Sequence, residues 1–369
     1  MVSIILPVYN GEAFLKETIE SILIQTIGSF ELIIVNDGST DDTEKIIKSF
    51  HDHRIQYYKQ ENKGVAAAKN EGLRHCNGDF ITFHDADDLS LPNRFERLLE
   101  CFHGDIGFVH SDMLLINELN QPIGYWQSSN IHQDDVFSFL INVGTPFNNG
   151  TIIFRSEVLT GLQFKPYKIG EDTEFIMQIA TKYASYHIQE PLYLYRRHTS
   201  NLTKEISYDQ LAEHIQEILG NVTFQEVLNE INWENDSKEK SQLKAQLIIG
   251  EALSKRGMIL EGINLFEAAI PFIKDEWDRA FFEGMKGLFE NRFEDAKQIF
   301  LSFTNKDHTI ENYLGEAYLS LQNYTKAYEH FMKALKKNPD YRTPIKNLKA
   351  LGQLNSHHLI CQYKGKFVK

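Results

Sequence analysis

The chain has 369 residues, 42% hydrophobic and 24% charged, a globular balance with length enough for two cores. Its 38 basic and 51 acidic side chains leave a formal net charge of -13. That sign argues against nucleic acid as a partner, because neutralising phosphates requires a basic face.

The first hundred residues alternate strand and helix. Residues 2–8 form a short apolar run that ends at Pro7, Tyr9, Asn10 and Gly11, a strand entering a loop. Phe14, Leu15, Ile19, Ile22 and Leu23 then share one helical face, with Asn10 as the expected cap. Residues 31–35 predict a second buried strand, ending in Asn36-Asp37-Gly38-Ser39-Thr40. Ser39 or Thr40 is placed to cap the next helix, with Asp41, Asp42 and Glu44 in its first turn. A third strand is expected over 55–59, a third helix over 65–75, and a fourth strand over 79–84 that runs into Asp85-Ala86-Asp87-Asp88. Strands separated by such helices imply right-handed crossovers and a mostly parallel sheet, whose ligands bind at the carboxyl ends of the strands. Asn10, Asp37 and Asp85 all stand at such ends. Further on, residues 151–154 predict a strand, 172–183 a helix and 192–196 a short strand.

Beyond about residue 205 the strand signals fade and helical periodicity takes over. Gly250, Gly284 and Gly315 recur 34 and then 31 residues apart. Each precedes a small residue, Gly262, Ala296 or Ala327, and an aromatic, Phe266, Phe300 or Phe331, at fixed offsets. The last copy adds Leu314, Tyr318, Ala334 and Pro339. Small residues where two antiparallel helices approach, with large ones filling the gap, look like the tetratricopeptide pattern. Phe281, Phe282 and Phe289 are candidates for packing against the N-terminal domain.

The chemistry centres on the acidic cluster. Asp85, Asp87 and Asp88 repel one another unless a cation or solvent compensates. At the end of a fourth parallel strand, a hard divalent ion such as Mg²⁺ or Mn²⁺, bridging to a diphosphate, accounts for them better than a solvated acidic turn before Pro92. Asp37 either stabilises a turn with Gly38 or accepts hydrogen bonds from a nucleobase or ribose. Glu171 and Asp172 follow Gly170 and open an amphipathic helix carrying Phe175, Ile176, Ile179, Ala180 and Tyr183. One carboxylate suits a cap, and Asp172 suits a general base. His198 ends Tyr193-Leu194-Tyr195-Arg196-Arg197-His198; beside an acidic metal site, a neutral imidazole can complete the coordination.

Several motifs now stand in order: Pro7-Val8-Tyr9-Asn10, Val35-Asn36-Asp37-Gly38-Ser39, Asn62-Lys63-Gly64-Val65-Ala66-Ala67-Ala68-Lys69-Asn70, Phe83-His84-Asp85-Ala86-Asp87-Asp88, Gly170-Glu171-Asp172, and Tyr195 with Arg196, Arg197 and His198. Together they resemble a family 2 glycosyltransferase with the GT-A fold. The resemblance implies a Rossmann-like α/β nucleotide-sugar domain over 1–205; the helical periodicity and repeat beyond it are read as a helical linker over 206–240 and an all-α tetratricopeptide-like domain over 241–369. It implies that Pro7, Val8, Tyr9 and Asn10 line the nucleoside pocket and that Asp37 bonds the base. Lys69 and Asn70 would lie near base and ribose, and Asp85 at the ribose or metal with Ala86 beside it. Asp87 and His198 would hold Mn²⁺ or Mg²⁺, Asp88 would help position the donor, and Asp172 would deprotonate the acceptor. His84 stands where the family more often has an apolar residue, and is left out of the site. Residues 145–150 are expected on the acceptor side.

The implied activity is inverting, metal-dependent transfer of a hexosyl or N-acetylhexosaminyl group. The donor would be a nucleotide sugar, most commonly a UDP-sugar. The acceptor would be a glycan, or a protein or peptide recruited by the repeats, which could equally bind a protein partner or form a homo-oligomer. A dehydrogenase would need Gly-x-Gly-x-x-Gly after the first strand, where this chain has Tyr9-Asn10-Gly11-Glu12-Ala13. A nucleotidyltransferase would need a glycine-rich basic loop near the start. The remaining alternative is a degenerate transferase acting as a scaffold through its repeats. Cys76, Cys101 and Cys361 form no C-x-x-C pair and suit a reduced cytoplasmic setting. No apolar run approaches the roughly 20 residues that span a bilayer, so a cytoplasmic protein is expected, with work at the inner face of the membrane still open to it.

Overall fold

The computed structural model describes residues 1–142, 144–167, 170–199, 201, 218, 225, 228, 238–255, 257–339, 341 and 343–354. The chain divides into two compact units between Glu230 and Ile231. The linker expected over 206–240 lies outside the described residues, apart from 218, 225, 228 and 238–240.

The first unit opens with β1 (Val2–Val8), α1 (Leu15–Leu23), β2 (Phe30–Asp37), α2 (Thr43–Ser49), β3 (Ile55–Gln60), α3 (Val65–Arg74) and β4 (Phe80–Phe83). It continues with β5 (Leu89–Ser90), α4 (Arg94–Glu100), β6 (Ile106–Ile116), β7 (Pro122–Trp126), α5 (Val136–Asn142), β8 (Ile152–Arg155), α6 (Glu171–Ala180) and β9 (Ala184–Arg196). Every residue of β1 is buried, as a central strand covered on both faces requires. Ile4 and Leu6 share a core with Ile19 and Ile22 of α1 and with Phe95 and Leu98 of α4. Phe83, Phe154, Phe164 and Phe175 form an aromatic cluster, with Phe164 stacked on Phe175 at 3.9 Å between ring centroids.

The strand order is β3-β2-β1-β4-β8-β6-β9-β5, with β7 paired to β6. From β3 to β4 all pairs are parallel, as expected. Beyond β4 the sheet is mixed: β8 lies antiparallel between β4 and β6, while β9 runs parallel to β6 and antiparallel to β5. The strand expected over 192–196 is therefore only the end of a 13-residue strand. Pro191 does not interrupt it, because the register with β6 slips there and takes up the unpaired position.

Two expected caps serve other purposes. Asn10 stands too far ahead of Leu15 to cap α1; its side-chain oxygen accepts instead from the Thr40 amide at 2.8 Å. Ser39 Oγ likewise accepts from the Asn10 amide at 3.0 Å, so these polar side chains tie two loops together rather than start helices.

The second unit is built of helix pairs: Lys238–Lys255 with Ile259–Ala269, Glu276–Phe289 with Phe293–Ser302, and His308–Ser320 with Tyr324–Lys337, followed by Thr343–Leu354. Asp275 and Asp307 cap the second and third pairs by accepting from the amides of Trp277 and Ile310. The small–large pattern of the sequence is the packing rule here. A Cβ on Gly284 would sit 2.7 Å from the Phe300 ring, so only glycine lets the paired helices approach this closely. Phe281, Phe282 and Phe289 pack within this unit around Phe266, Phe300 and Tyr313. Phe331 is fully buried in the same way. Phe331→Ala is expected to destabilise this unit by about 3–5 kcal/mol, seen as an earlier thermal transition of the full chain. An unchanged melting profile would show that the aromatic does not hold its helix pair together.

Candidate active site

Because β2, β1 and β4 lie side by side and parallel, the loops after Val8, Asp37 and Phe83 emerge along one edge of the sheet. Pro7 and Val8 close β1 in the core, while Tyr9 is 52% exposed at the rim. Asn10 adopts φ 50°, a left-handed conformation that asparagine tolerates. Asp37 is buried, and one of its oxygens accepts from Gln60 Nε2 at 2.7 Å and from the Lys63 amide at 2.9 Å. The other accepts from the Gly64 amide at 2.8 Å. Gly38, at φ 77°, lets this loop close in, since a Cβ there would lie 2.7 Å from the Asn62 amide nitrogen. Asp37 thus shapes the loop that leads into α3 and keeps lone-pair capacity for one further donor.

The acidic loop after β4 divides its carboxylates. Asp88 is fully buried, and its Oδ1 accepts from the Arg196 amide at 2.7 Å. Asp85, Ala86 and Asp87 are half-buried. Burial pushes the Asp85 carboxyl up to about 6, helped by Asp87, Asp172 and Glu171 and opposed by Lys69. The site is therefore short of positive charge on its exposed side. Below it, the wholly buried Arg94 donates to Ser90 Oγ at 2.9 Å and to the Gly150 carbonyl at 2.5 Å, and lies over the Tyr193 ring. Residues 148–150, placed on the acceptor side by the sequence, are in part a support beneath the acidic loop. His84, buried between the Ser90 hydroxyl and the Asp85 carbonyl, is held down to about 3 by burial and by Arg94, and so stays neutral.

His198 reaches this loop through strand pairing. β5 follows the acidic loop directly, and Leu89 pairs with Leu194 in antiparallel register. Continuing that register sets Asp87 and Asp88 beside the end of β9. His198 Nε2 then lies 2.8 Å from Asp87 Oδ2. Asn201 holds the turn, accepting from the His198 amide at 2.7 Å and donating to the Arg196 carbonyl at 3.1 Å.

The far side of the site joins α3 to α6. Lys69 Nζ, almost wholly buried, bonds Glu171 Oε1 at 2.9 Å. Burial opposes its charge, yet Glu171, Asp172 and Asp85 together hold its pKa above the usual lysine value. Asp172 Oδ1 accepts from the Thr173 amide at 2.7 Å in the first turn of α6. Asn70 does not face open space: its amide donates to the Phe164 carbonyl and accepts from the Phe164 amide, both at 2.8 Å. Phe164 in turn packs under Lys69, 5.0 Å from its ammonium. Arg94 and Phe164 escaped the sequence reading, which had Glu171 only beside a helix cap and Arg196 only within the segment ending at His198. Arg196 alone carried a usable signal, a charge on an apolar strand that must find partners.

Models of two families match the chain: Glycosyl transferase family 2 over residues 3–148, and Tetratricopeptide repeat over 309–341. The putative glycosyltransferase EpsE of Bacillus subtilis is 33% identical over 206 residues, spanning 53% of this chain and 72% of that protein. The chain belongs to glycosyltransferase family 2. Glycosyltransferase GlyA of Streptococcus pneumoniae is 47% identical over 99 residues of this family 2 chain, 26% of its length. The chain spans 14% of GlyA and 30% of an uncharacterized glycosyltransferase of Rickettsia felis. Among solved structures, residues 1-349 of TarS from S. aureus, in complex with UDP-GlcNAc, align with a TM-score of 0.56 at 19% identity. The alignment covers 87% of this chain and 92% of that one, and the likeness is one of fold.

Proposed function

We propose that this chain transfers a sugar from a nucleotide sugar, a UDP-sugar, to a glycan or to a polypeptide acceptor recruited by its repeat unit, with inversion at the anomeric carbon. The observation that carries the reading is the meeting of Asp87 and His198, 2.8 Å apart, at the strand ends where Asp85, Lys69 and Asp172 also gather.

Among the described residues, no group of three or more His, Cys, Asp or Glu side chains is gathered to hold a metal by itself. One carboxylate and one imidazole nevertheless suit Mn²⁺ or Mg²⁺, because such ions take one or two protein ligands and complete their shell with phosphate oxygens and water. The raised Asp85 carboxyl points the same way, since a cation would offset the burial and the neighbouring carboxylates that disfavour its charge. When bound there, the ion would neutralise charge on the departing diphosphate.

The residues of the chain supply the rest. Pro7, Val8, Tyr9 and Asn10 border the nucleoside pocket, and Asp37 offers its remaining acceptor capacity to the base. Asn70 acts through the Phe164 backbone, which supports Lys69. The Lys69 ammonium, set among Glu171, Asp172 and Asp85, steadies the carboxylates on the donor side. The acceptor hydroxyl attacks the anomeric carbon from the face opposite the diphosphate and its proton passes to Asp172, while the bond from sugar to diphosphate breaks with its electron pair on the leaving oxygen. An α-linked donor then gives a β-linked product. Support for uridine comes from TarS, whose fold this unit shares and whose structure holds UDP-GlcNAc. Among the described residues no helix is long and apolar enough to cross a membrane. Peripheral work at the inner face of the membrane is compatible with this.

The test is thermal stabilisation of the full chain by a panel of nucleotides and nucleotide sugars, with Mn²⁺, Mg²⁺ or EDTA. UDP with a divalent ion is expected to stabilise by about 2.7 kcal/mol at a hundredfold excess over Kd, and to lose most of the effect in EDTA, where the weaker metal-independent binding remains. Absence of a shift from every nucleotide would overturn the reading.

A further inference from the structure

The guanidinium of Arg196 is fully buried, yet it belongs to neither the donor pocket nor a simple ion pair. Its Nε donates to the main-chain carbonyl of Asp87 at 2.6 Å. One terminal nitrogen donates to Asn120 Oδ1 at 2.6 Å and the other to Glu17 Oε2 at 3.0 Å. Asn120 Nδ2 closes the ring by donating to the same Glu17 oxygen at 3.1 Å. The guanidinium plane covers the Phe14 ring at 4.5 Å, and that ring also meets the His198 imidazole at 4.9 Å. The Arg196 amide donates to Asp88 and its carbonyl accepts from Asn201, the residue that also bonds His198.

Three stretches far apart in sequence, residues 14–17, 87–88 and 118–120, therefore converge on one residue, side chain and main chain together, two positions before His198. A buried cation costs free energy unless its donors are paired, and arginine's planar fork makes that pairing directional. The bond to the Asp87 carbonyl fixes the peptide from which the Asp87 carboxylate projects. The packing on Phe14 and the bonds through Asn201 fix the turn that carries His198.

We propose that Arg196, locked by Glu17 and Asn120, is a positioning residue that presents Asp87 and His198 together as a divalent-cation pair. This rests on the reading that those two side chains hold the ion. It assigns to the β6–β7 turn and to α1 a part in metal affinity, although neither supplies a ligand.

The experiment titrates the full chain with Mn²⁺ and follows the paramagnetic resonance of the free ion, with UDP affinity in EDTA measured alongside. Arg196→Lys keeps the charge but loses the fork. Because it replaces a buried group, it is paired with the double variant Glu17→Gln, Asn120→Ala, both of whose sites are exposed. Each folded variant is expected to bind Mn²⁺ 10–100-fold more weakly, the scale on which groups behind metal ligands act, with UDP affinity in EDTA unchanged. Mn²⁺ affinity within twofold of the parent in these variants would overturn the positioning role. Asp87→Asn separates the two ideas. If it abolishes Mn²⁺ binding while the ring variants do not, only the positioning role falls. If it leaves Mn²⁺ binding intact, the metal reading falls and this inference with it.

Discussion

Asp87→Asn is expected to abolish the metal-dependent part of donor binding and to lower sugar transfer by roughly 10²–10³-fold, the scale on which one charge-stabilising group acts in a transition state. The expectation follows from where the two ends of Asp87 go. Its main-chain carbonyl is held by Arg196, and that bond survives the substitution. Its carboxylate meets His198, and an amide oxygen can still accept from the imidazole. The fold should therefore persist while the anionic ligand is lost. Calorimetry with UDP in Mn²⁺ and in EDTA measures the difference, and turnover equal to the parent would remove Asp87 from the metal role.

Asp172→Asn should behave in the opposite way: donor affinity kept and transfer lowered by about 10²–10⁴-fold, the usual contribution of a general base. An asparagine retains the acceptor that Asp172 presents to the Thr173 amide, so the first turn of α6 keeps that bond. The removed charge also sits beside Lys69, whose partner Glu171 remains. Single-turnover transfer measured with saturating donor separates the two steps. A normal rate would move the base elsewhere, and Glu171, one residue away on the same turn, would be the next to examine.

The strand ends were legible because the chain punctuates them. Buried strands 2–8 and 31–35 stop at polar loops, and the helices between them show one apolar face, so the parallel half of the sheet follows from periodicity alone. The mixed half did not, because antiparallel pairing of β8 and the length of β9 depend on partners distant in sequence, such as Phe80 for Arg155 and Leu89 for Leu194, rather than on local pattern. The site shows the same divide. Asp85, Asp87, Asp172 and His198 stood in recognisable motifs, and the fold brings Asp87 and His198 into contact. The partners that hold them in place left weaker traces. Glu171 read as a helix cap until Lys69 was seen against it, and nothing local linked Asn70 to Phe164 across 94 positions. Polar side chains expected at helix starts, Asn10 and Ser39, turned out to bond each other's loops. A loop–loop bond and a cap call for the same residue types.

The strand order also bears on how the molecule is made. The family 2 match ends at residue 148, but among the described strands β4 is joined to β6 through β8, and β5 pairs with β9. A ribosome that has released the first 148 residues has therefore delivered both halves of a sheet without the strands that join them. Until residues 152–196 emerge, β6 has an open edge toward each missing neighbour, and the loop between β4 and β5 lacks the strand that pairs with its far end. The acidic loop thus gains its pairing to β9 only late in the synthesis of this unit. The growing chain must carry its own exposed edges through that interval, a stage at which unpaired strands recruit other chains.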